Sequence, residues 1–109
     1  MKVRCTGSLH LIAAHDLAQG RLEINPNDGL DIGLMQTEER LRIYAGKGFD
    51  PAALAAASAF DGVVVQKNEC ALGTLKLNAK TCSEIGSPDR VRLHLLPASG
   101  STKLVISPA

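Results

Sequence analysis

Apolar residues alternate with polar ones over short stretches of this chain, and clusters of Gly, Asn, Asp and Pro separate the stretches. A two-residue period puts alternate side chains on opposite faces of a strand, so the pattern predicts a mainly β chain whose strands each bury one face. Val3 and Cys5 alternate with Lys2 and Arg4, Leu22 and Ile24 with Arg21 and Glu23, and Leu41 and Ile43 with Arg40, Arg42 and Tyr44. Leu75 with Leu77, then Val91, Leu93 and Leu95, then Leu104 and Ile106 give three further strands. Asn25-Pro26-Asn27-Asp28-Gly29 has turn composition, which predicts a hairpin joining residues 21–25 to a strand carrying Leu30, Ile32 and Leu34. Asp61-Gly62 reads as a turn into Val63-Val64-Val65, a β-branched run expected of a central strand covered on both faces. Between Ser8 and Gly20 the apolar positions fit a helix face or a strand; the parity of Leu9 and Leu11 favours a strand to about Ala13 and then a turn.

One helix is predicted, over residues 51–60. Asp50 suits the N-cap and Pro51 the first helical position, and the alanines that follow carry little entropic cost in a helix. After Asp50 the segment has no charge and only Ser58 is polar, so no side of this helix is built for solvent. It is expected to be buried against the sheet or against a second subunit, with Ala53, Leu54, Ala56 and Ala57 at the interface. Leu41, Ile43, Leu54, Phe60, Val63, Val65, Leu93 and Leu95 form the expected core.

The expected fold is therefore a small single-domain β-barrel or roll, α+β in detail, with about seven to eight short strands and one buried helix at 51–60. Strands, one helix, then more strands is an order that resembles the OB-fold, a five-stranded Greek-key barrel with its helix between the third and fourth strands. A small roll or a differently wound barrel gives the same order of elements. At 109 residues, one domain over residues 1–109 is expected. No internal repeat or linker is evident from the residues alone.

Twelve Lys and Arg against eleven Asp and Glu leave net charge silent about a nucleic-acid or membrane partner. The first residues do not read as a secretory signal, and no apolar stretch is long enough to span a bilayer. Three cysteines without Cys-x-x-Cys spacing suit reduced thiols, and the chain is expected to be cytoplasmic.

The distribution of charge is more informative. Arg4, Arg21, Arg40, Arg42, Arg90 and Arg92 all take outward positions of predicted strands, whereas most acids lie in turns or caps. Arginine grips phosphate or carboxylate with paired donors, and Tyr44 beside Arg40 and Arg42 offers a stacking surface. Arg40, Arg42 and Tyr44 from one strand, with Arg90, Arg92 and His94 from another, are the candidate binding residues; the simpler account is that long charged side chains solvate a sheet.

Other chemistry has less behind it. Cys5, His10, His15, Cys70, Cys82 and His94 are zinc-ligand types without zinc spacing, and Cys5 takes the apolar parity of a core residue. Residues 25–31 lack the closing glutamate of a calcium loop. His15-Asp16, His94 and Cys82-Ser83 place no nucleophile against a base, and Gly46-Lys47-Gly48 reads as a turn. No catalytic residue, metal or cofactor is assigned. The leading expectation is a non-enzymatic, self-associating binding or assembly module with an arginine-bearing face for an anionic partner. An OB-like binder of single-stranded nucleic acid or nucleotide is the alternative, and a small hydrolase or thiol enzyme using Cys70 or Cys82 is the third.

Overall fold

The structure is a computed structural model and describes residues 4–45, 58–96 and 102–109. Its strands are β1 (Arg4–Cys5), β2 (Leu9–Ala14), β3 (Arg21–Ile24), β4 (Glu38–Ala45), β5 (Ser58–Gln66), β6 (Thr74–Asn78), β7 (Arg90–Leu96) and β8 (Lys103–Pro108). Two short helices, α1 (Pro26–Asp31) and α2 (Ala79–Glu84), follow β3 and β6. Strands pair in the order β7-β2-β6-β3-β5-β4-β8, and β8 returns to β7, closing a seven-stranded barrel with β1 as an extra strand.

The alternation read from the sequence sets the inside of the barrel. Leu9, Leu22, Ile24, Leu41, Ile43, Val64, Leu75, Leu77, Val91, Leu93, Leu104 and Ile106 are all buried in one cluster. Of the other expected core residues, Val65 is buried, while Phe60, Val63 and Leu95 are half-buried. Leu54 lies outside the described residues. β1 and β2 pair along β7 with a one-residue offset between Cys5↔His94 and Leu9↔Val91, and the Thr6 hydroxyl accepts from the Leu93 N–H at 3.1 Å where the backbone ladder is interrupted.

Several expectations are corrected. Residues 58–60 belong to β5, so the helix expected over 51–60 does not extend to Phe60; the rest of that segment, with Ala53, Leu54, Ala56 and Ala57, lies outside the described residues, as does Gly46-Lys47-Gly48. Asp61-Gly62 is not a turn but the middle of β5, where Gly62 pairs with Leu41; a Cβ there would meet the Gly20 carbonyl at 2.6 Å. The expected hairpin after Asn25 is α1. Asn25 is its N-cap, accepting from the Asn27 N–H at 2.9 Å, and Pro26 takes its first position. Cys5 is exposed, opposite His94 on the outer face, and Arg4, though exposed, pairs with Leu95 and so has the parity expected of Cys5. The winding is not that of an OB-fold: seven strands close the barrel, and β2–β6, β3–β5 and β4–β8 run parallel.

The structure also reveals a duplication that the sequence pattern hides. At one constant offset, Gly20 matches Gly73, Leu22 matches Leu75, Asn25 matches Asn78, and Ile32-Gly33 matches Ile85-Gly86. All four glycines have positive φ, from +79° to +88°. Both helices end the same way: Leu34 N–H reaches the Gly29 carbonyl and Ser87 N–H the Cys82 carbonyl, across the left-handed Gly33 and Gly86. Asn78 caps α2 as Asn25 caps α1, and each amide has a second task. Asn25 Nδ2 donates to the Cys70 carbonyl at 2.9 Å and Asn78 Nδ2 to the Leu17 carbonyl at 2.6 Å, so each half ties down the loop of the other. The antiparallel pair β3–β6 lies at the centre, where Glu23 faces its own counterpart Lys76.

Candidate functional site

β4 takes its outward side chains at alternate positions because Leu41 and Ile43 are drawn into the core. Arg40 and Arg42 are exposed and Tyr44 is half-buried on this outer wall. Neighbouring strands add to them. β3 brings Arg21 into the Arg40 row through Val63, and β8 places Lys103 beside Arg42. Arg21, Arg40, Arg42, Lys103 and Tyr44 line one open groove of about 1350 Å³.

Two acids also line it. Arg42 donates to Asp61 at 3.0 Å, an exposed ion pair that raises the Arg42 pKa, while Glu38 lies on the same strand. Counting Glu23, to which Arg21 is bonded, four cationic side chains thus meet three carboxylates, still a local excess on a protein whose net charge is +1. Arg40 makes no ion pair among the described residues, and Lys103 Nζ sits 5.8 Å from the centre of the Tyr44 ring, within cation–π range.

The other expected binding residues occupy the equivalent positions of the second half. Arg90, Arg92 and His94 stand on β7 as Arg40, Arg42 and Tyr44 stand on β4, with β8 between the two strands. Tyr44 and His94 both pair with Val105, so they lie level across β8. Because β7 runs against β4, the arginines diverge from that level: Arg42 is beside Lys103 and Arg92 beside Ser107. Val105 and Ser107 are buried although they take outward positions. His94 Nε2 and Ser107 Oγ share a hydrogen bond at 2.8 Å, and burial together with Arg92 pushes the His94 pKa down.

The sequence reading missed Arg21's and Lys103's part in the groove, because only strand order brings them to β4. It also missed Glu23, which is buried on the outer face. Arg21 and Lys67 both donate to Glu23 Oε2 at 3.1 Å. Burial alone would raise the Glu23 pKa, but these two cations outweigh it and hold the carboxyl below its ordinary value.

Cys70 and Cys82 are buried, and burial pushes both thiols up, away from the reactive thiolate. Among the described residues no three His, Cys, Asp or Glu side chains gather as metal ligands, and no helix is long and apolar enough to cross a membrane. No family model, curated protein or solved structure matches the chain.

Proposed function

We propose that this protein is a non-enzymatic binding module that holds an anionic partner against the outer wall formed by β3, β5, β4 and β8. The supporting observation is the groove that Arg21, Arg40, Arg42, Lys103 and Tyr44 line together, with Lys103 over the Tyr44 ring. Guanidinium groups offer planar paired donors to phosphate or carboxylate, and a rigid barrel wall holds their backbones at fixed spacing. Tyr44 under Lys103 favours single-stranded nucleic acid as a second reading, since a base can stack where the lysine now lies. Self-association through Ala53, Leu54, Ala56 and Ala57 belongs to the same proposal on the ground of their uncharged sequence. It is tested by the solution mass of the protein and of an A53E/A56E variant across a concentration series.

The binding test is fluorescence anisotropy with two labelled probes, oligo(dT) and poly-glutamate, at rising salt. The R40E/R42E variant should lose binding while its circular dichroism stays unchanged, because both side chains are outside the core. Tighter binding of oligo(dT) that falls steeply with salt and weakens in Y44A selects the nucleic-acid reading. Failure of the native protein to bind either probe, or unchanged binding by R40E/R42E, overturns the proposal.

A further inference from the structure

A second crevice shares no lining residue with the arginine groove and is separated from it by the Arg21–Glu23 pair; it lies on the outer face of β2, β6 and β3. Its floor is the row Ile12, Lys76 and Glu23, which pair in register across the three strands. Its roof is the loop between β5 and β6, with Cys70 and Ala71 over a space of about 350 Å³. The loop is held in place by specific bonds. Asn25 Nδ2 donates to the Cys70 carbonyl at 2.9 Å, Thr74 Oγ1 to the Ala71 carbonyl at 2.6 Å, and the Gly73 N–H to Asp28 Oδ2 at 2.8 Å. The space is therefore preformed.

The chemistry of the crevice is asymmetric. Glu23 faces Lys76 in register, yet its Oε2 is taken by Arg21 and Lys67. Lys76 makes no ion pair among the described residues and lines the crevice half-buried, beside Ile12, which is 37% exposed, and Ala71. Glu69 also lines the crevice, but it is exposed and its charge is solvated. An ammonium whose facing carboxylate is bonded to two other cations, next to apolar surface left open, is complementary to an organic acid. We propose that this crevice binds a small monocarboxylate with a short apolar tail, the carboxylate on Lys76 Nζ and the tail between Ile12 and Ala71.

The test is a titration of the nitrogen-15-labelled protein with hexanoate and with neutral hexanamide, following backbone amide resonances. Hexanoate should shift Ile12, Cys70, Ala71 and Lys76 saturably and hexanamide should bind at least about tenfold more weakly, since the charge-assisted bond is lost. K76M should behave towards hexanoate as the native protein does towards the amide, and K76R should restore binding. I12D, which sets a carboxylate beside Lys76 in register and so gives the ammonium a partner within the protein, should also abolish it. The proposal is overturned if hexanoate gives no saturable shift, if hexanamide binds equally well, if K76M and I12D both titrate as the native protein does, or if the shifts fall on Arg40, Arg42 and Tyr44 instead.

Discussion

The wall made by β4 and β5 and the wall made by β7 with β2 are built alike, and they differ in outward charge and at one inward position. The loop before β7 is shorter than the loop before β4, so strand pairing and not the constant offset makes Arg90 and Arg92 the counterparts of Arg40 and Arg42, and Val91 and Leu93 those of Leu41 and Ile43. In the first wall Arg42 is paired with Asp61, whereas the corresponding place beside Arg92 is held by Ser8, which has no charge. β5 runs unbroken where β1 and β2 are interrupted, and β5 carries Gly62 where β2 carries Leu9. Side chains pointing inward are fixed by the space they share, and both halves keep them apolar. Outward side chains are free to diverge, so that is where the halves have acquired separate properties.

If packing is common to both halves, equivalent core truncations should cost alike. Leu22 and Leu75 are both fully buried and both face the centre of the barrel. L22A and L75A should each lower stability by about 2–5 kcal/mol in urea unfolding, by lost burial and a residual cavity. The symmetry of the core is broken if one of the two is tolerated while the other prevents folding.

The central pair Glu23 and Lys76 offers a sharper contrast, because only Glu23 is held by two partners of opposite charge. Its folded pKa lies below its unfolded value, so the stability it contributes is complete above the ordinary carboxylate range. That contribution is lost as pH falls through the folded pKa. E23Q should cost about 1.5–3 kcal/mol at neutral pH by removing charge-assisted hydrogen bonds, and should flatten the acid limb of stability against pH. A K76Q variant should leave that limb in place. Identical acid profiles for E23Q and the native protein would show that Arg21 and Lys67 do not hold the carboxylate.

The two asparagines test how far the shared plan extends into the loops. N25A and N78A each remove a helix cap and a loop tether, and each should cost about 1–2 kcal/mol by thermal unfolding. The strands on which these helices follow were legible in the sequence because alternation is a direct imprint of burial. The helices were not. Six residues are too few to show a 3.6-residue period, and Gly29 with Asp28 makes α1 look like a turn. The Asn25-Pro26 pair is the same kind of start signal as Asp50-Pro51, and it alone could have revealed α1. The duplication was hidden because PNDGLD and AKTCSE share no residue, leaving as common marks the Gly before and the Leu within each preceding strand, the capping asparagines and the Ile-Gly exits. Arg40, Arg42 and Tyr44 could be found as neighbours on one strand, but Arg21 and Lys103 join them through pairings that no local pattern encodes.

The smallest effect is expected where the two walls differ by one side chain. Asp61 is almost fully exposed, and its pair with Arg42 is open to water and salt, so it contributes little to the fold. Its larger consequence is to occupy a guanidinium that an anionic partner would otherwise use. Changing Asp61 to Ser gives the first wall the residue type that stands beside Arg92. D61S should leave thermal stability nearly unchanged and tighten oligo(dT) or poly-glutamate binding by about two- to threefold at low salt, with the gain fading as salt rises. Unchanged binding in D61S would mean that Arg42 reaches the partner even while paired, or that the arginine wall is only a solvated surface. R40E/R42E separates these, since in the first case it abolishes binding and in the second it does not.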